Sequence, residues 1–499
     1  MRITHWTLIA ALALVGCSST PERAVIDNAA TALGGADKIL AVNTLTIEGS
    51  GENLNFGQNA SPDANAPLLA VSGYKRSFDF AGNRWRLEQV RTAPVGNTAP
   101  AKQILAIDGD VAFNVAANGT GARANAQVVR DRRAELYHHP IGALRAALAQ
   151  GATLSNPRQE GSDDVVDIST ADGGKLTLYV NTQTKMPSKV RTMTDNVGGP
   201  MGDVVIETSF ANYAVTDGVQ LPGQLTTKND KNTVANIQVS KNTVNGDVGD
   251  LAAPADVRAA TVPDAIVPAN IAVEEVSKGI WYLAGQSHHS VLAEFADHVV
   301  LIETPQHEVR SAAVIAKVKE LVPGKPIKYV INTHHHFDHS GGIRTAIAEG
   351  ATIITHEGNK AFIEEVANRP HTLAPDALSR NPKPAVIETV SDKRVLQDAT
   401  RTLEIHHVPG STHSDTMLMI YFPRERLIVE ADLYNPPNPP AANAPAPPAN
   451  APPAVFPFAA NFVENVAKLG LRPDRILPIH GRIVRFKDAQ AAARPASSD

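Results

Sequence analysis

The chain has 499 residues, a formal net charge of −5 and a single cysteine. That length predicts two folded domains rather than one. An acidic balance with no basic run interleaved with aromatics argues against nucleic acid as a partner, and one cysteine excludes a disulfide within the molecule.

Met1-Arg2 supplies a positive start, and Leu8 to Val15 is a short apolar run. This is the pattern of an export signal, and the run is too short to span a bilayer as a helix. It ends Leu14-Val15-Gly16-Cys17, which resembles the bacterial lipobox. The resemblance implies that residues 1–17 are a lipoprotein signal peptide, with Cys17 lipidated on sulfur as the mature N-terminus. An ordinary cleaved signal with a chance cysteine is the other reading. Ser18 after the cysteine implies sorting to the outer membrane, so the expected location is the cell envelope, lipid-anchored and facing the periplasm. Ser18 to about Arg23 reads as a short tether.

Ala24 to Leu40 is Ala-rich and predicts a helix interrupted at Gly34-Gly35. From Thr44 the pattern changes to alternation. Thr44–Gly49, Arg76–Phe80, Arg84–Glu88 and Gln103–Ile107 read as strands, with Ala81-Gly82-Asn83 as a hairpin loop. A helix is expected around Ile141–Gln150. Further strands follow at Val165–Ile168, Lys175–Val180, Pro187–Met193, Asp203–Phe210, Gln224–Thr227 and Asn236–Val239. This spacing predicts a curved antiparallel sheet over residues 24–246. It is similar to the half-barrel of lipoprotein-carrier proteins, which implies either a support domain or a cradle for an apolar ligand. His138-His139 has no acidic neighbour in sequence and reads as a surface pair. Asp247–Pro268, rich in Ala, Pro, Val and Asp, reads as a linker.

Residues 269–486 predict a second domain that folds alone. Ile271–Val276, Ile280–Ala284, Val291–Phe295 and His298–Glu303 read as strands, and Val309–Leu321 as a helix. His288 and His289, in the polar loop between strands, read as surface residues without a ligand role, with a place at the border of the substrate cleft as the other reading. Ile327–Asn332 reads as a buried strand. It leads into Thr333-His334-His335-His336-Phe337-Asp338-His339-Ser340-Gly341-Gly342, followed by a helix from Ile343 to Glu349. His334, His336, Asp338 and His339 are metal-ligand types packed within six residues, at the carboxyl end of a strand, where open α/β sheets place their chemistry. His334 and His336 are two apart, so in extended backbone they point the same way and can share one ion. Asp338 and His339 follow a change of direction and can face a second. Imidazole with carboxylate suits zinc, with iron or manganese as alternatives.

The run His-x-His-x-Asp-His resembles the signature of the metallo-β-lactamase superfamily. The resemblance implies an α+β chain, with a C-terminal αββα sandwich preceded by the antiparallel β-rich N-terminal domain. It also implies one or two ions at one edge of the sandwich. Pro409-Gly410-Ser411-Thr412-His413 matches the superfamily's third motif, which gives His413 to the ion of His334 and His336. Asp432 ends the strand Arg426–Ala431, where hydroxyacylglutathione hydrolases carry a carboxylate that bridges two metals. Ile479-His480-Gly481 resembles the final His-Gly motif, which gives His480 to the second ion with Asp338 and His339. The aspartate that usually supports the metal loop is matched here by Glu303.

What the resemblance implies is a di-metal hydrolase in which two zinc ions about 3.5–4 Å apart share one hydroxide. Asp338 would then act as catalytic carboxylate as well as ligand. The bond attacked is an ester, lactone, thioester, amide or phosphodiester of a small-molecule substrate. The alternatives are an envelope lipoprotein with a binding role and a weak metal site, or a β-lactamase proper. The membrane is expected as a partner only through the lipid anchor. Arg369–Lys393 reads as a long connection arching over the site. Asn435–Pro457, dominated by Pro, Ala and Asn, reads as a loop that faces substrate or is a plain insertion. Residues 487–499 read as a frayed tail.

Overall fold

A computed structural model describes residues 20–94, 99–196, 199–264, 270–437 and 456–493. Cys17, its signal and nearly all of the Asn435–Pro457 loop lie outside the described residues. Among the described residues no helix is long and apolar enough to cross a membrane.

The alternating N-terminal sequence forms one antiparallel sheet of 13 strands. Its first strand, Thr44–Leu54, pairs with its last, Asn232–Val244, so two meanders join at the middle of the sheet. The strand Arg84–Thr92 shows why the pattern is legible: Trp85 and Leu87 are buried while Arg84, Arg86 and Glu88 are not. Helices Pro21–Ala32, Ala36–Ala41 and Pro140–Leu148 cover one face. Their Ile26, Ala29, Ile39, Ile141 and Leu144 share a core with Ile47, Phe78, Trp85 and Leu178 from the strands. Burying side chains of this kind contributes about 1.5–3 kcal/mol each. That face is filled by the chain's own helices.

Two expectations for this half are corrected. The tether ends earlier than Arg23, because a helix begins at Pro21. His138 and His139 are buried, not at the surface. His138 sits between Thr208 Oγ1 and Thr192 Oγ1, each 2.8 Å away, and burial pushes both histidines down to about 3. Within the described part of Asp247–Pro268, Ala253 and Val257 join Ala106, Val111 and Phe113 in a small core, and Arg258 pairs with Asp108.

The C-terminal half is built in four layers. A seven-stranded sheet and a six-stranded sheet face each other. Between them lie Val300, Ile302, Ile331 and Ile354 from the first, and Leu418, Ile420, Phe422 and Val429 from the second. The alternate residues Val299, Leu301, Val330 and Ile353 point outward onto Val314, Val318, Ile343 and Ile363 of the covering helices. Met417, Met419 and Tyr421 do the same on the other side, against Phe462, Val466 and Phe486. Strands buried on both faces must be apolar at every position, which is why Val299–Ile302 and Leu418–Phe422 read as unbroken apolar runs.

Two further expectations change here. The Arg369–Lys393 connection contains a helix, Ala377–Arg380, and a strand, Ile387–Val390, that extends the first sheet. Its opening residues hold the N-terminal half: Arg369 donates to Asp203 O and Asp230 Oδ2 at 2.6 and 2.7 Å, and the Asp203 carboxylate accepts from Thr372 N–H and Leu373 N–H. The tail begins with a helix, Phe486–Ala492, anchored by buried Phe486 and Ala489.

Candidate metal centre

The carboxyl ends of neighbouring strands meet at one edge of the sandwich. Strand Ile327–Ile331 delivers the His334–His339 run, and strand Thr402–His407 is followed by His413. Strand Leu427–Glu430 is followed by Asp432, and strand Arg475–Pro478 by His480. His334 and His336 lie on one side with ring centroids 4.4 Å apart, while His335 between them turns toward Phe362 and Thr416. Chain direction then changes through the short helix Phe337–Ser340. Gly341 and Gly342 are required at its end, because a Cβ there would meet Gln306 O at 1.7 Å and Ser311 Oγ at 1.8 Å.

Two carboxylate residues of the centre hold left-handed backbone, Glu303 at φ 68° and Asp432 at φ 61°. Such residues are uncommon outside glycine and gather at functional sites. The Asp432 turn is pinned by buried Glu430, whose Oε2 accepts from Leu433 N–H at 2.9 Å and Tyr434 N–H at 3.1 Å.

Asp432 stands at the middle of the centre. Its Oδ2 is 2.7 Å from His339 Nε2, 3.3 Å from His413 Nε2 and 3.5 Å from His334 Nε2. Its Oδ1 is 3.2 Å from His480 Nε2. On one side, His334, His336 and His413 place ligand atoms within 4.8 Å of one another; on the other, Asp338, His339, His480 and His288 do so. The structure therefore brings all seven residues expected from the sequence, His334, His336, Asp338, His339, His413, Asp432 and His480, into one centre.

The donor set fits cations on a direct observation. His334 Nε2, His336 Nδ1 and His413 Nε2 are buried without a hydrogen-bond partner among the described residues. An unpartnered buried polar atom is costly, and three that converge mark a place for an ion. The opposite nitrogens of His334, His336 and His480 are engaged from outside. His336 Nε2 donates to Asn59 O at 2.9 Å, and His480 Nδ1 to Ser287 O at 3.0 Å. His334 Nδ1 lies 3.1 Å from Thr333 Oγ1, while His339 Nδ1 faces Glu303 Oε2 at 3.4 Å without a hydrogen bond. Outer acceptors of this kind fix the tautomer that turns a lone pair inward. Glu303 also accepts from Thr333 N–H at 2.7 Å, so the longer side chain still reaches the metal loop.

The electrostatics agree. Burial, with help from neighbouring imidazoles, holds His334 well below its ordinary range and His336 at about 4. His480 is likewise brought to about 4 by burial. Burial alone would raise Asp432 and Asp338, but contact with His339 outweighs it for Asp432, and the His288 hydrogen bond and His339 do so for Asp338. Both carboxylates stay ionised. His339 is raised well above the usual histidine range, because the Asp432 and Glu303 carboxylates outweigh its burial. Neutral His334, His336 and His480 beside ionised carboxylates are what a divalent cation needs, whereas His339, held protonated by its two carboxylate neighbours, must give up that proton when an ion binds.

Sequence reading missed three residues of this centre. His288 is buried, and its Nε2 lies 3.1 Å from Asp338 Oδ2 while Ser287 Oγ meets its Nδ1 at 2.9 Å. Its neighbour His289 is also buried, with Nδ1 accepting from Gly285 N–H. The expectation that both lie at the surface fails because their loop folds down against the centre. The other two, Gln58 and Asn59, come from the N-terminal half: Gln58 Nε2 donates to Asp338 Oδ1 at 2.8 Å, and Asn59 offers the carbonyl that holds His336. Nothing local in the sequence marks a glutamine or a backbone carbonyl as part of a site some 280 residues away.

The family model described as the metallo-beta-lactamase superfamily matches residues 284–480. A hydroxyacylglutathione hydrolase from Pelagibacter ubique (strain HTCC1062) is 29% identical over 107 residues, which is 21% of this chain and 36% of that protein. The chain thus matches about a third of the length of that relative. Among solved structures, a metallo-beta-lactamase from Pontibacter korlensis is 15% identical, covering 45% of this chain and 97% of its own, with a TM-score of 0.33. One from Hirschia baltica is 19% identical, covering 45% and 99%, also with a TM-score of 0.33. The four-layered half of the chain, over residues 284–480, is a domain of the metallo-beta-lactamase superfamily.

Proposed function

We propose that the centre holds two metal ions, zinc by its donor set, and that the protein hydrolyses an ester, lactone or thioester bond of a small-molecule substrate. The observation that carries this reading is Asp432, which reaches the histidines of both groups with its two oxygens. His334, His336 and His413 would hold one ion, and Asp338, His339 and His480 the other, with Asp432 shared. Two bound divalent cations supply polarisation of a substrate oxygen and a lowered pKa for water. Asp338 is the carboxylate best placed to take a proton, since 36% of its side chain is exposed against 12% for Asp432. His288 holds Asp338 Oδ2 and so orients it. The shared carboxylate and the similarity to a hydroxyacylglutathione hydrolase favour an acyl ester, lactone or thioester over an amide, a β-lactam or a phosphodiester.

Protein lacking residues 1–17 should turn over at least one member of an ester, lactone and thioester panel. Turnover should disappear with a chelator and return with zinc. Bound metal without turnover on a panel widened to β-lactams and phosphodiesters would leave a binding lipoprotein instead.

The lipobox-like run supports anchoring at the envelope through Cys17. Cys17→Ser is expected to move the protein from the membrane to the soluble fraction without affecting hydrolysis. Unchanged membrane association, with no acyl mass on the parent, would remove that part of the reading.

A further inference from the structure

Four consecutive residues of the N-terminal half each make one hydrogen bond to the metal loops. Gly57 O accepts from Phe337 N–H at 3.2 Å, and Gln58 Nε2 donates to Asp338 Oδ1 at 2.8 Å. Asn59 O accepts from His336 Nε2 at 2.9 Å, and Ala60 O accepts from Asp415 N–H at 2.7 Å. These residues lie in the connection between strands Thr44–Leu54 and Leu68–Asp79 of the 13-stranded sheet.

The loop is shaped before it arrives. Asn59 Oδ1 accepts from Gly57 N–H at 3.1 Å, and Asn59 Nδ2 donates to Ala64 O at 2.6 Å. Gly57, at φ 89°, lies against the Phe337 ring, where a Cβ would come within 2.5 Å of a ring carbon. Phe56 meets the same ring edge-on at 5.0 Å. Two of the four bonds end on side chains with an inward-facing ligand atom, one in each ion group.

We propose that residues 57–60 are a built-in wall of the metal centre, with Gln58 and Asn59 as positioning residues for the second and first ion respectively; this rests on the two-ion reading above. Gln58 occupies Asp338 Oδ1 and leaves Oδ2, 3.7 Å from His339 Nε2, as the oxygen turned inward. Without that amide the carboxylate is held by His288 at Oδ2 alone. The Asn59 carbonyl keeps the proton of His336 on Nε2 and the lone pair on Nδ1, which faces His413 and His334. The N-terminal half thereby acquires a role: it completes the ligand geometry of a centre whose ligands all come from the other half.

The test measures the affinity of each ion and the visible spectrum of the cobalt-substituted protein, in the chain lacking residues 1–17. Gln58→Ala is expected to bind the second ion about 10–100-fold more weakly and leave the first unchanged. Asn59→Ala, which unties the loop, should loosen the first ion by a similar factor of about 10–100 and alter the cobalt bands of that site. If Asn59→Ala fails to fold, Asn59→Asp keeps the acceptor for Gly57 N–H, loses the bond to Ala64 O and gives the same readout. Parent-like affinities and cobalt spectra in both variants would overturn the proposal. Equal loosening of both ions in both variants would overturn the assignment of one residue to each ion. A parent that takes up fewer than two ions would instead overturn the two-ion reading beneath it.

Discussion

Asp432→Ala is expected to hold about one metal ion per chain where the parent holds about two. The Asp432 carboxylate lies between the two histidine groups, and its loss removes one ligand from each ion and the negative charge between two dications. The first ion would keep three histidines, His334, His336 and His413. The second would keep Asp338, His339 and His480, with His288 alongside, but His339 would also lose its closest partner, 2.7 Å away. Repulsion between the ions is then less compensated, and the second is the one released. Hydrolysis should fall by about 100-fold or more, because the reaction uses both ions. Alanine at a backbone φ of 61° adds strain of about 1–2 kcal/mol. Asp432→Asn, which tolerates that conformation and removes only the charge, should therefore show the same metal loss. Elemental analysis of both variants checks the result. Two ions retained, with activity near the parent's, would reduce Asp432 to a residue at the end of a strand.

The second large effect concerns the boundary between the halves. The linker-like composition of Asp247–Pro268 predicts that a chain starting near Ala269 folds alone and binds metal. The contacts predict the reverse. Such a truncation removes the partners of His336 Nε2 and Asp338 Oδ1 together. It also exposes the Phe337 ring that Phe56 and Gly57 cover, and it strips Arg369 of its Asp203 and Asp230 acceptors. Each lost outer-shell partner costs about 10–100-fold in metal affinity. Residues 270–499 expressed alone should therefore be insoluble, or soluble with both ions loosened. A soluble, two-ion, active fragment would show that the N-terminal half is a separable module.

The legibility of this centre in the sequence follows the range of its contacts. His334, His336, Asp338 and His339 announce themselves because they crowd into six residues between an apolar strand and a pair of glycines. His413, Asp432 and His480 are further apart, but each ends or follows a strand in the order the superfamily resemblance implies. His288 is hidden because its partner Asp338 lies 50 residues on, and a polar loop rich in His and Ser reads as solvated. His138 misleads for the same reason: its two threonines lie 54 and 70 residues away on other strands. Gln58 is beyond any local rule. The fold behaves alike. Buried strands such as Val299–Ile302 are plain, whereas Thr153–Glu160, the polar edge strand of the large sheet with Pro157 inside it, carries almost no apolar face. It goes unread until pairing with Asp163–Ser169 is seen.

The most direct test of the central claim is a count of metal ions on the parent protein lacking residues 1–17, stripped with chelator and then titrated with zinc. Two groups of converging ligands sharing Asp432 predict saturation at about two tightly held ions per chain, with zinc preferred over the harder oxygen-seeking cations. Saturation at one ion, or none held through gel filtration, would contradict the account.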